Sequence, residues 1–261
     1  MNRLVFRGSF CALALILAAG CGDSGATGNE AVGNAAADGV TTTASFGTAA
    51  DALAAKLGGG SAPAASDPSV VAFESQSASA LQGLGTAALP LDGFTSYDAL
   101  CGKTATIVGA YINLGLDPSA DPTAKAAKMN SNAEKYLDQM FTPLLFSAHC
   151  TAAHMPFIEK QISDTDLSSK AAALHKIRDG AYGQAGGLLQ MASSDDIDAA
   201  RRARIVDLLA GDAANFAIAF NPQQRAALSA MADALPADVK VKGAAIRAGL
   251  TEAACGKLCT M

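Results

Sequence analysis

The chain reads as an all-α protein, a helical bundle braced by disulfides, and three observations carry that expectation. Apolar residues recur at three- and four-residue spacing through most of the chain after Ser96, the period of a helix face. A side-chain acceptor precedes proline at Asp121–Pro122, Thr142–Pro143 and Asn221–Pro222. That pairing opens helices, because the acceptor caps free N–H groups and the proline lacks one where none is needed. No alternating strand pattern of useful length occurs, apart from the brief VKV at 239–241.

The elements follow in order. In TAADALAAKLGGG, Thr48 is a cap, Leu53 and Leu57 lie one turn apart and Gly58 is a stop, predicting a short helix over about 48–57. The segment 66–85, SDPSVVAFESQSASALQGLG, fits either a short helix or an irregular stretch. After Ser96, Leu100, Ile107, Tyr111 and Leu114 form a helical stripe that ends before Asp117–Pro118. From Pro122, Met129, Ala133, Tyr136, Leu137 and Met140 share one face. Another helix is expected from Pro143 to about Ile162, kinked at Pro156. Residues 166–191 read as a helix weakened by Gly180, Gly183, Gly186 and Gly187. The run SSDDIDAARRARIVDLLAGDAANFAIAF opens with serine caps and an acidic first turn, which suits the helix dipole. It continues with Ile197, Ile205, Leu208, Leu209 and Phe216, and the remainder predicts helices near 222–235 and 241–259.

Ahead of these elements stands an address. MNRLVFR carries Arg3 and Arg7 and no acid, an apolar run spans Phe10 to Leu17, and Ala18, Ala19 and Gly20 follow. This is the charged, apolar and small-residue layout of an export signal. The run is shorter than the roughly 20 residues a membrane-crossing helix needs. The junction LAAG before Cys21 resembles the lipobox of bacterial lipoproteins, with Ala18 where the commonest form has leucine. The resemblance implies removal of a signal peptide at 1–20 and a thioether from Cys21 to diacylglycerol, which anchors the chain in a lipid bilayer. Two or three acyl chains, at about 0.8 kcal/mol per buried methylene, hold a protein stably. Cys11 is a poor rival, with Phe10 before it and little apolar sequence upstream. Gly22, not aspartate, follows Cys21, and by the same resemblance this favours the outer over the inner membrane of the bacterial envelope. GDSG at 22–25 resembles the nucleophile motif of chymotrypsin-like serine proteases. Ser24 lies three residues from the anchor with no barrel pattern around it, so it is read as tether.

The expected organisation is therefore a signal peptide at 1–20, a lipidated, flexible Gly/Ala-rich tether at 21–66 and a helical domain at 67–261. The tether would reach on the order of 35–40 Å. With Arg3 and Arg7 removed, 17 basic residues face 24 acids, a net charge of −7. A nucleic-acid partner is not expected, because neutralising phosphates needs a basic face. Tryptophan is absent and aromatic content is 5%, which argues against a carbohydrate-stacking platform.

Four cysteines remain after Cys11 and Cys21: Cys101, Cys150, Cys255 and Cys259. In an oxidising compartment they are candidates for two disulfides, with three connectivities open. Cys255 and Cys259 would share a helix face, and the favoured scheme sends one to Cys101 and the other to Cys150. The competing reading takes HCTAAH as a soft-metal clasp, with His149 and His154 as ligands, Cys150 four residues before His154 and Met155 adjacent. The two readings exclude each other at Cys150, since a disulfide sulfur is no thiolate. The remaining histidine is His175. CGKLC lacks the pattern for covalent haem, Asp195, Asp196 and Asp198 read as a solvated helix start, and RRAR at 201–204 is balanced by those acids. No phosphate loop, dinucleotide fingerprint or nucleophile elbow is present.

FNPQQRAALSAMADAL at 220–235 looks like the proline-initiated helix start of periplasmic chaperones of the Spy and CpxP type, through Asn221, Pro222, Gln223, Gln224 and Arg225. It covers 16 residues, occurs once and departs from that family's paired motif. The resemblance would imply a binder of unfolded envelope proteins. Taken together, the residues point to a membrane-anchored periplasmic lipoprotein, a binding or scaffolding module for an envelope protein rather than an enzyme. Its one covalent group would be the lipid at Cys21, and the alternative is a helical metal or haem carrier using His149 and His154.

Overall fold

The structure is a computed structural model that describes residues 41–84 and 91–261, with side chains described at 45–81 and 99–261. The expected export signal, Cys21 and the sequence to Val40 lie outside the described residues. Eleven helices and no strand occur among the described residues. The expected all-α class is what the structure has. These residues divide into two compact units, one over 41–147 and one over 148–261, and the boundary falls within a single helix after Ser147.

The first unit contains α1 (Thr41–Gly58), α2 (Pro68–Leu84), α3 (Leu91–Ile112), α4 (Pro122–Lys135) and the start of α5 (Leu137–Gln161). α1 is longer than the helix expected over 48–57, and from Thr41 onward the expected tether belongs to the folded body. The reason is Phe46, which is fully buried on the same stripe as Ala50, Leu53 and Leu57. Its ring meets Phe73 edge-on with centroids 5.3 Å apart and lies 5.6 Å from Phe146. The backbone turns positive at Gly60 (φ 80°), two residues after the glycine expected to stop the helix. The ambiguous segment at 66–85 is helical as α2, and Asp67 ahead of it accepts from the Ser69 N–H at 2.9 Å. Asn132 joins α4 to the end of α3, donating to the Ile112 and Leu114 carbonyls at 2.9 and 2.8 Å.

Of the three expected proline starts, two are realised. Asp121 accepts from the N–H groups of Thr123 and Ala124, and Asn221 forms a reciprocal capping box with Gln224. Thr142–Pro143 opens nothing, since α5 already begins at Leu137 and runs through both Pro143 and Pro156. Its apolar stripe explains the difference: Met140, Phe141, Leu144, Leu145 and Phe146 are all buried, so packing outweighs the lost backbone bond.

The second unit contains the rest of α5, then α6 (Asp164–Ser169), α7 (Ala171–Ala192), α8 (Ala199–Ala217), α9 (Pro222–Asp233), α10 (Lys240–Glu252) and α11 (Lys257–Thr260). The single helix expected over 166–191 is two, divided at Lys170, and the glycines sit inside α7. The cap of α8 is Asp198, accepting from the Arg201 N–H, rather than a serine. The expected helix over 241–259 is two, separated at Ala253–Gly256. α10 packs against α8 and α9. A Cβ at Gly243 would lie 2.5 Å from the Ala232 carbonyl oxygen, and one at Gly249 would lie 2.7 Å from the Ala213 Cβ. Glycine at those two places is what lets the helices meet at backbone distance. Among the described residues, no helix is long and apolar enough to cross a membrane.

Candidate functional site

The sequence-predicted residues of the second unit separate into different environments. His149, on α5, is buried, and its Nδ1 lies 2.7 Å from Oδ2 of Asp212 on α8. Asp212 is 1% exposed, and its other oxygen, Oδ1, finds no hydrogen-bond partner among the described residues. Burial raises the Asp212 carboxyl above the ordinary carboxylate range, against the opposing pull of the His149 hydrogen bond and charge. The contact therefore joins two buried titratable side chains on different helices.

His154 lies one turn along and is engaged elsewhere, with its Nδ1 2.6 Å from the Cys150 carbonyl oxygen. His175 accepts at Nδ1 from the Arg178 guanidinium at 2.8 Å, which puts its own proton on Nε2. Cys101 and Cys150 are disulfide-bonded. Cys150 is thus no thiolate, and no group of three or more His, Cys, Asp or Glu is placed to hold a metal among the described residues.

The favoured cysteine scheme is corrected. Cys255 bonds to Cys259, with a Cα–Cα distance of 5.5 Å, and neither reaches a distant element. An unbroken helix would direct the two thiols to a neighbour. Here α10 ends at Glu252, and the chain makes a short loop through Gly256 before α11.

Side chains from three helices grip that loop and the residues on either side of it. Arg225, on α9, donates to the carbonyls of Ala217, Phe220, Ala253 and Ala254, the Phe220 and Ala253 bonds being 2.9 and 2.7 Å. Its Nη2 also lies 4.0 Å from Sγ of Cys259. Burial draws the Arg225 guanidinium below its ordinary value. Glu159, near the end of α5, accepts from the N–H groups of Lys257 and Leu258 at 2.5 and 3.3 Å, the cap that α11 otherwise lacks. Lys257 Nζ donates to the Ile162 carbonyl at 2.6 Å, and the Gly256 N–H to the Ile218 carbonyl at 3.1 Å. Arg178, 8% exposed, donates to the Met261 carbonyl at 2.9 Å. A Cβ at Gly256 would fall 2.6 Å from the Glu159 carboxylate, so glycine admits the cap.

Elsewhere, RRAR has one of its expected acidic partners, Asp198, and backbone partners besides. Arg202, the second arginine of RRAR, donates to the Ala192, Ser194 and Ile197 carbonyls and to Asp238. Arg201 pairs with Asp198 at 3.5 Å.

Sequence reasoning missed Asp212, Arg178, Glu159 and Arg225 as site residues. Two of them carried a signal. Ile205, Leu209, Asp212 and Phe216 form one stripe, as do Leu174, Arg178, Ala181 and Ala185, and all eight are buried. A charged residue at an apolar position of a helical stripe marks a buried charge in need of a partner. No family model, no curated protein and no solved structure matches the chain.

Proposed function

We propose that this chain is a membrane-anchored lipoprotein of the bacterial envelope whose helical body binds or scaffolds another envelope protein in the periplasm. The observation that carries the reading is the register of Arg3 and Arg7, the apolar run Phe10–Leu17, the small residues 18–20 and Cys21. In this reading, residues 22–40 connect the lipidated cysteine to the helix that begins at Thr41. The acidic balance supports a body held off an anionic bilayer surface. Gly22 after the anchoring cysteine favours the outer membrane.

The test is fractionation of cells expressing the full chain or its Cys21→Ala variant, with metabolic fatty-acid labelling. The chain should label and sediment with membranes, and the variant should do neither. A variant that stays membrane-bound would overturn the anchor. Crosslinking in cells tests the scaffold role, and repeated recovery of the chain without a partner would count against it.

A further inference from the structure

We propose that Cys255–Cys259 is an exchangeable disulfide that reacts with thiols through Cys255. The inference is independent of the lipid anchor. Cys255 is exposed, whereas Cys259 is 3% exposed and sits with Sγ 4.0 Å from the Arg225 guanidinium. The two sulfurs thus differ in the two properties that direct thiol–disulfide exchange: access for the attacking thiolate and stabilisation of the departing one.

The bridge contributes less as a staple than a long-range one would. Its cysteines are four positions apart, and so short a ring removes much less unfolded-chain entropy than one spanning a hundred residues. The loop it closes is held independently by Arg225 on the Ala253 and Ala254 carbonyls, by Glu159 on the Lys257 and Leu258 N–H groups, and by the buried Leu258 side chain. Opening the bond leaves those contacts in place, so the two thiols stay positioned to close again.

A dithiol substrate reacts in two displacements. One substrate thiolate attacks Sγ of Cys255, a new S–S bond forms there, and the Cys255–Cys259 bond breaks. Its electron pair leaves on Cys259 as a thiolate beside the Arg225 charge. The second substrate thiolate attacks the substrate sulfur of the mixed disulfide and displaces Cys255. Cys255 and Cys259 each take up a proton, the substrate ends as a disulfide having lost two, and two electrons pass to the protein. With a disulfide substrate the same steps run in reverse. The ligand chemistry is an accessible thiol, on a small molecule or on a polypeptide.

The experiment uses the full chain purified in detergent. It is challenged in separate arms with reduced glutathione and with a reduced dithiol peptide, quenched in acid, alkylated and peptide-mapped. Cys255 and Cys259 should open about tenfold or more faster than Cys101 and Cys150, as expected from access and leaving-group stabilisation. The opened chain should keep a cooperative thermal transition. A faster peptide arm identifies a polypeptide substrate, and a faster glutathione arm a small one. Paired variants identify the sulfur: with glutathione disulfide, Cys259→Ser should form an adduct at Cys255 about tenfold faster than Cys255→Ser forms one at Cys259. Opening no faster than at Cys101 and Cys150 would overturn the proposal. So would preferential adduct formation at Cys259, or loss of the cooperative transition on reduction.

Discussion

Among the described residues of the first unit the buried polar side chains are neutral: Ser69, Ser77, Thr104, Asn132, Thr142 and Ser147. In the second, His149, Arg178 and Asp212 are buried alongside Gln184. Some of the neutral groups bond within their own helices, Ser77 to the Phe73 carbonyl and Thr104 to the Leu100 carbonyl, while Asn132 reaches across from α4 to the Ile112 and Leu114 carbonyls. The charged ones join segments far apart in sequence, His149 to Asp212 and Arg178 to the Met261 carbonyl. Large aromatic rings hold the first unit, while the second adds glycine contacts at backbone distance and charged grips on helix ends. The lesson is that one chain can hold all-α bodies by packing volume or by satisfying backbone groups with long charged side chains, at the risk of stranding a buried charge.

The largest expected effect tests the packing side. Phe46→Ala should cost about 3–5 kcal/mol, the range for removing a buried phenylalanine, read by denaturant unfolding of the full chain. A loss below about 1 kcal/mol would mean the ring cluster is not what holds α1 to its neighbours.

Next is the glycine contact in the second unit. Gly243→Ala should destabilise by about 1–3 kcal/mol, because the new methyl meets the Ala232 carbonyl and the backbone must move. Unchanged or raised stability would show that α10 can shift without cost.

The buried and exposed aspartates should respond to pH in opposite senses. Below the ordinary carboxylate range, Asp212 is protonated folded or unfolded, and the fold bears no cost of ionising it. As pH rises through its raised folded value, the unfolded chain releases the proton more readily and stability falls. Asp67 is held down to about 2, by the Lys56 ammonium first and then by Ser69, so its contribution is lost as pH falls toward that value. Unfolding measured across about pH 2–7 should therefore lose the high-pH decline in Asp212→Asn and show a weaker low-pH decline in Asp67→Asn, where Asp117 and Asp166 remain held low. If Asp212→Asn leaves the profile unchanged, the buried pair does not control that limb.

The smallest effect has the opposite sign. Gly109, within α3, has nothing within 4 Å of a built Cβ, so Gly109→Ala should stabilise by about 0.5–1 kcal/mol. Together with Gly243→Ala it separates glycine needed for contact from glycine merely tolerated in a helix.

Much of this architecture was legible in the chain. Asp121, Asn221 and the helical stripes announced helix starts and faces because capping and amphipathicity are local. Thr142–Pro143 misled because the same dipeptide fits a helix start or the interior of a helix whose packing tolerates it. The site residues were less legible. Asp212 and Arg178 interrupt apolar stripes, which marks them as buried charges, but nothing local says which backbone group or histidine they reach. The disulfide was misread because i,i+4 cysteines share a face only while the helix continues, and here it ends at Glu252.

By itself, the sequence determined the all-α class, the capped starts at Pro122 and Pro222 and the even set of cysteines, since propensity, capping and periodicity act over one or two turns. Only tertiary structure decided that Phe46 draws α1 into the body, that Asp212 meets His149, and that Arg225 and Glu159 hold the 253–259 loop so that Cys255 closes onto Cys259. Those choices depend on groups tens of residues apart, and their free energy exists only once both are in place.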